Sequence, residues 1–257
     1  MSQEATNAAV RQQFGAVAAA YATSAVHASG HDLAAMIEAA ELQGGERVLD
    51  LACGAGHTAL AFAARGARTA AVDLTPEMLE VAGRLARERG LANVTFEQAD
   101  AASLPFGEAE FDLVVTRYAA HHFADPAAVL REAARVLRPG GRFLLVDTVS
   151  PEDAALDTFL NAIELLRDDS HVRDWRASEW VRMLNGVGFD AEVRERLAVY
   201  LDGAAWVARA QTSLSRVSML KEILAAASPA RRAAFEIRAE PWGFSIPVAL
   251  VSGRLPA

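Results

Sequence analysis

The sequence predicts a doubly wound α/β fold, a mostly parallel seven-stranded sheet with helices on both faces. Three observations lead there. Short apolar runs alternate with longer helical patterns from about residue 33 to about residue 200. The runs are apolar on consecutive residues, as in strands covered on both faces. The first run leads straight into a glycine-bearing turn and then a helix. With 257 residues, 52% of them hydrophobic, the chain fits one domain, residues 1–257, better than two.

The elements follow in order. Leu33, Ile37, Ala40 and Leu42 recur at helical spacing, and Gly44-Gly45 end that helix. Residues 47–51 form the first strand, 55–65 a helix and 69–72 the second strand. Thr75 caps a helix over 77–89, with Pro76 at its start. Residues 94–98, 111–116 and 143–147 are the third, fourth and fifth strands, and 127–136 is a helix. This core occupies 33–150. Helices over 154–167 and 178–187 come next, then an alternating strand over 192–200. Helical patterns at 204–226 and 229–240 precede a last strand at 244–251. The last two strands are therefore split by a helical cap insertion, 203–240. An Ala-rich helical stretch, 8–27, opens the chain and gives an N-terminal cover over 8–31. Both segments are expected over the carboxyl ends of the strands, where ligands bind in open α/β sheets.

Charge and cysteine content narrow the function. The net charge is −8 and the one lysine is Lys221, so the basic footprint of a duplex-binding protein is lacking. Cys53 is the single cysteine, which excludes an intrachain disulfide and a Cys-rich zinc site. No basic start with an apolar run marks a signal peptide, and no 18-residue uncharged stretch marks a membrane span. The expectation is a cytoplasmic protein without membrane insertion.

VLDLACGAGHTAL, residues 48–60, is the most informative stretch. Gly54 and Gly56 let backbone approach a ligand closely, and the following helix start offers free amides. Asp50 at the strand end is awkward for a pyrophosphate and useful for an ammonium group, which disfavours a nicotinamide dinucleotide. Asp73 ends the second strand, where a carboxylate can accept from both ribose hydroxyls. Asp100 follows the third strand, placed for an adenine amino group, with the Ala101 amide beside it. Three carboxylates at successive strand ends suit one adenosyl ligand with a cationic tail.

The segments VLDLACGAGHTA, AVDLTPEML, EQADAASLPF, FDLVVTRYAAHHF and VLRPGGRFLLVD stand in order over residues 47–147. In them the chain resembles the class I S-adenosylmethionine-dependent methyltransferases, with their Rossmann-like fold. It is similar within them to the ubiquinone and menaquinone biosynthesis group that acts on small molecules. The resemblance implies S-adenosyl-L-methionine as cofactor and S-adenosyl-L-homocysteine as product. It implies that Asp50, Ala52, Gly54 and Gly56 hold the methionine part, with Asp73 on the ribose and Leu74 on the adenine face. Asp100 and Ala101 would meet the adenine edge, and Thr116 with Arg117 would line the floor beside the sulfonium. Ala52 departs from a frequent glycine.

Methyl transfer needs alignment and a dry pocket, and a general base only where the acceptor is protonated at neutral pH. His121 and His122 follow the fourth strand; His122 is the candidate base, and His171 and Tyr21 are further catalytic candidates. Tyr21, in the amino-terminal segment, is placed to fold over the cofactor; a half-buried aromatic on an amphipathic helix accounts for it equally well. In LLRDDSHVRDW, Arg167, His171 and Arg173 could clamp a carboxylate or phosphate of a small-molecule substrate, or be tied up by Asp168, Asp169 and Asp174. His27 and His31 share the i, i+4 spacing of a metal pair, but Gly30 breaks the helix between them, so no metal is expected. Trp206, Leu214, Met219, Leu220 and Phe235 in the cap could face an aromatic or prenylated acceptor, hold the cap's helices together, or form a homodimer surface. The atom methylated stays open between O, N and C. Alternatives are a protein or RNA methyltransferase and a non-catalytic cofactor-binding protein. The stretch TRYAAHHF lacks the Asn/Asp-Pro-Pro-aromatic motif of DNA amino-methyltransferases.

Overall fold

Val48 and Leu49 leave the first strand, β1 (Arg47–Leu51), on opposite faces, and both are fully buried. Each face therefore needs its own cover. The computed structural model describes residues 2–22 and 28–257, and places β1 between two parallel neighbours, β2 (Arg68–Asp73) and β4 (Phe111–Arg117). Beyond β2 lies β3 (Val94–Gln98), and beyond β4 lies β5 (Leu137–Thr148), again in parallel. Two strands of 13 residues each, β6 (Asp190–Asp202) and β8 (Trp242–Arg254), complete the sheet antiparallel. The order is β3-β2-β1-β4-β5-β8-β6. A two-residue strand, β7 (Arg238–Ala239), also pairs with β8. β3 is an edge strand, so its side chains are only half covered, unlike the apolar-on-both-faces pattern expected of the first five strands.

One face is packed by α2 (His31–Ala39), α3 (His57–Ala63), α6 (Ala154–Arg167) and the insertion before β8. Met36, Phe62, Leu160 and Ile163 meet Val48, Leu113, Leu144 and Val146 there. The other face takes α5 (Pro126–Val136) and α7 (Ala177–Gly186), whose Leu130, Ala133, Trp180 and Leu184 cover Leu49, Leu51, Val114 and Phe143. α4 (Pro76–Glu88) packs on β2 and β3, and α1 (Gln3–Ala22) lies against α4. α1 begins five residues before the expected 8–27 stretch; residues 23–27, with His27, lie outside the described residues.

The insertion forms α8 (Gly203–Arg209), α9 (Leu214–Ala225) and α10 (Pro229–Ala234). The expected helix over 229–240 stops early because the chain turns to pair with β8: the Ser245 amide donates to the Phe235 carbonyl at 2.7 Å. Trp206, Leu220 and Phe235 are buried, whereas Leu214 and Met219 are exposed. Thr75 stands at the start of α4 but makes no side-chain cap bond, and the Asp73 carboxylate takes its amide instead.

Candidate active site

The loop between β1 and α3 puts three residues in the left-handed region, Ala52 (φ 52°), Gly54 (φ 51°) and Gly56 (φ 80°). The two glycines serve different ends. A Cβ on Gly54 would meet no protein atom within 4 Å, because Gly54 faces an open cleft. A Cβ on Gly56 would stand 2.8 Å from the Ala82 Cβ and 3.2 Å from the Phe96 ring, so Gly56 lets the loop sit down on α4 and β3. Ala52 accepts a conformation that costs an L-residue about 1–2 kcal/mol. Beneath the loop, Asp50 is 1% exposed and accepts the Ala59 amide at 2.9 Å. Burial pushes its carboxyl up to about 8, with Asp73 adding and the Ala59 amide opposing.

The cleft runs along the strand ends and has a volume of about 1010 Å³ counted to its open mouth. Ala52, Gly54, Asp73, Leu74, Asp100 and Ala101 line one side. Asp73 accepts the Gly54 amide at 2.8 Å and the Thr75 amide at 2.9 Å, each oxygen keeping a second lone pair. Burial raises its pKa against those amides. α1 lies across the mouth with Asn7, Val10, Phe14 and Tyr21. Asn7 Nδ2 and Gln3 Nε2 donate to one Asp100 oxygen at 2.7 and 3.2 Å, while the Ala102 amide takes the other at 2.9 Å. At the helix's far end the His57 ring donates through Nε2 to the Tyr21 carbonyl at 2.9 Å. The open face of Gly54, the paired apolar walls of Leu74 and Ala101, and a carboxylate at each of two strand ends fit an adenosyl ligand.

The floor is built from the end of β4. The Thr116 hydroxyl donates to the Leu51 carbonyl at 3.1 Å and lies under the cleft rather than in it. Arg117 lines the cleft, but its buried guanidinium pairs with Asp32 and stacks on the Tyr118 ring at 4.9 Å. Tyr118 adopts φ 52°, an uncommon conformation for a bulky residue, and so turns its ring between the cleft and a second cavity.

That second cavity, of about 590 Å³ counted to its open mouth, shares Phe14, Tyr21, Tyr118 and His122 with the cleft. His121 Nδ1 donates to Asp147 at 2.6 Å. Burial alone would depress this imidazole, but the Asp147 carboxylate overrides it and lifts the pKa to about 9, so His121 is cationic at neutral pH. The His122 ring centre lies 4.2 Å from that of His121. Burial, and next the His121 charge, push His122 down to about 4. Its Nδ1 donates to the Ser170 carbonyl at 2.9 Å, which leaves the lone pair on Nε2.

The structure thus brings Tyr21, Ala52, Gly54, Asp73, Leu74, Asp100, Ala101, Arg117 and His122 to one cleft, with Asp50, Gly56 and Thr116 beneath it. Arg167 lines the second cavity. His171 and Arg173 line neither. His171 is buried with Nε2 donating to Asn161 at 3.1 Å, and burial followed by the His121 charge takes it down to about 2. Arg173 reaches Asp157 at 2.9 Å, joined there by Arg176 at 2.8 Å, and ties α6 to the start of α7. Sequence reasoning missed Tyr118, Asp147, Glu164 and Arg209. Asp147 alone carried a signal, as a fourth acidic strand end.

Comparisons with known proteins agree with this geometry. The methyltransferase domain family matches residues 49–145. The uncharacterized methyltransferase YcgJ of Bacillus subtilis is 42% identical over 239 residues, 91% of this chain and 94% of that protein. Its crystal structure superposes with a TM-score of 0.84 at 40% identity, covering 88% of this chain and 99% of that one. A demethylmenaquinone methyltransferase of Thermus thermophilus is 42% identical over 112 residues, 43% of this chain and 50% of that protein.

Proposed function

The chain belongs to the S-adenosylmethionine-dependent methyltransferases, and on that premise we propose that it methylates a small organic acceptor held in the second cavity, with His122 taking the acceptor's proton. The observation that carries this reading is the position of His122, on the wall common to both cavities. Gly54, Asp73, Leu74, Asp100 and Ala101 would hold the cofactor in the cleft, which when bound supplies an electrophilic methyl group on a sulfonium.

The protein's part is alignment, dryness and one proton. Phe14, Tyr21 and Tyr118 line both cavities beside His122, and their rings would keep that junction apolar with both ligands bound. His122 enters the reaction neutral, its tautomer fixed by Ser170. It is a weak base, matched to a proton that becomes acidic only as the acceptor's bond to the methyl carbon forms. His121 keeps its own proton through Asp147 and so holds His122 unprotonated at neutral pH. A cavity recessed behind side chains of α1 and α8 suits a small acceptor, and the net charge of −8 disfavours RNA. A cytoplasmic location accords with this reading, as no helix among the described residues is long and apolar enough to cross a membrane.

The test uses S-adenosylmethionine carrying a radioactive methyl group and a cell extract divided into small-molecule, protein and RNA fractions. Label is expected in the small-molecule fraction and is expected to vanish with Asp73→Ala. Label confined to protein or RNA overturns the acceptor class, and no label in any fraction overturns the proposed turnover.

A further inference from the structure

We infer that the acceptor carries a carboxylate, seated on the guanidinium groups of Arg167 and Arg209 in the second cavity. This rests on the reading of that cavity as the acceptor chamber. Arg167 ends α6 and Arg209 ends α8, so two helices from different parts of the chain bring two cations to one wall. Arg167 is held in place: Nε donates to the Trp206 carbonyl at 3.1 Å, and the guanidinium stacks on the Trp206 ring at 5.3 Å. Arg209 is less satisfied. Its Nε is buried with no hydrogen-bond partner among the described residues, and an orphaned buried donor is costly. Burial and then the Arg167 charge disfavour its cationic form, and the Tyr21 hydroxyl engages both guanidiniums.

The acidic residues around the cavity pair with Arg167 rather than Arg209, which has no carboxylate within ion-pair distance among the described residues. Glu164 stands 3.6 Å from Arg167, and burial drives its carboxyl toward the neutral form. Asp174 is driven further the same way, with one carboxyl oxygen unpartnered among the described residues. Against its burial, Asp168 is held in its charged form by His122, by Ser170, whose amide and hydroxyl reach Oδ1 at 2.8 and 2.6 Å, and by Arg167, so its charge serves Arg167. His121 is positive too, but Asp147 balances it at 2.6 Å, so the two guanidiniums are the cavity's cations open to an anion. A planar oxyanion satisfies a guanidinium pair through parallel N–H bonds. Phe14, Val199, Leu201, Trp206 and Ile246 give the cavity an apolar side, beside the polar Tyr21, Tyr118, His122 and Thr148, and that side suits a hydrocarbon or aromatic body joined to the carboxylate.

Calorimetric titration of the full chain saturated with S-adenosylhomocysteine tests this with benzoate, benzamide and phenyl phosphate. Benzoate is expected to bind at least about tenfold more tightly than benzamide, which has its shape without its charge. That preference is expected to disappear in Arg209→Met and Arg167→Met and to persist in Arg194→Met, a change at an exposed site on β6. S-adenosylhomocysteine affinity in the two cavity variants reports that they still fold. Equal binding of benzoate and benzamide overturns the subsite, and so does a benzoate preference that survives both cavity substitutions. Tighter binding of phenyl phosphate than of benzoate overturns the carboxylate in favour of a phosphate. Failure of S-adenosylhomocysteine to bind at all would overturn the methyl-transfer reading itself, and the subsite with it.

Discussion

The two cavities that meet at His122 are built from different materials. The cleft is made of main chain and strand ends: the left-handed turn at Ala52 and Gly54, and the carboxylates of Asp73 and Asp100, all within about 50 consecutive residues. The second cavity is lined by residues of α1, the segment after β4, the end of β5, α6, β6, α8 and β8, drawn from across the whole chain. One is a backbone socket, whose shape follows from the sheet. The other is a side-chain chamber, whose shape depends on how the helices dock. A socket of the first kind suits an invariant ligand, and a chamber of the second kind can take a different acceptor with a few substitutions on one fold.

If that division is right, damage to the socket removes cofactor binding, while damage to the chamber removes turnover and leaves cofactor binding alone. The largest effect is expected at the partition. His122→Ala is predicted to lower the methyl-transfer rate about 10²–10⁴-fold. S-adenosylhomocysteine affinity by calorimetry is predicted to stay within about twofold, since the cleft keeps its own contacts. A matching loss of affinity would break the comparison. Asp73→Ala is the converse: it removes the acceptor of the Gly54 amide and of the expected ribose hydroxyls, and is predicted to weaken S-adenosylhomocysteine about 100-fold, in keeping with one or two charged hydrogen bonds.

Asp147→Asn sharpens the electrostatic side of the account. Without the carboxylate, His121 no longer holds a proton at neutral pH, and one of the two causes depressing His122 is gone. Activity that depends on neutral His122 falls as the pH drops through its pKa. The acid limb of the rate profile is therefore predicted to lie near pH 4 in the native protein and about one unit or more higher in the variant. Stability should respond with the opposite sign. The His121 pKa is raised from 6.5 to about 9 on folding, so its contribution is complete below pH 6.5 and is lost as the pH climbs through 9. The native protein is predicted to exceed Asp147→Asn by about 3 kcal/mol at pH 6, the gap closing by pH 10 in urea titrations. The smallest effect belongs to the latch over the cleft mouth. Asn7→Leu removes the 2.7 Å bond from α1 to Asp100 and is predicted to raise the S-adenosylhomocysteine association rate by about fivefold in stopped-flow measurements.

The same contrast explains what could be read in the sequence. β1 to β5 were legible because apolar runs, glycines and strand-end carboxylates are local features, and the turn at 52–56 declares itself through Gly54 and Gly56. β3, the alternately exposed edge, and α10, stopped by pairing with β8, show where tertiary position overrode the local pattern. In the chamber the local signal ran out. Arg167, His171 and Arg173 are close in sequence, yet only Arg167 reaches the cavity, because residues 168–174 leave the helix and turn the other two toward Asn161 and Asp157. Arg209 sits 42 positions away and meets Arg167 only through the docking of α8. Tyr118 owes its place to a positive φ that no residue preference announces. Asp50, expected at the cofactor, instead braces Ala59 one layer below, a distinction of depth that a strand-end position does not encode.

A crystal structure with S-adenosylhomocysteine would test the central claim most directly. The account predicts the ligand in the cleft, its ribose at Asp73, its adenine between Leu74 and Ala101, and its sulfur directed at the partition of Tyr118 and His122. The chamber bounded by Arg167 and Arg209 would stay separate. A ligand seated in the second cavity, or one whose sulfur points away from His122, would contradict it.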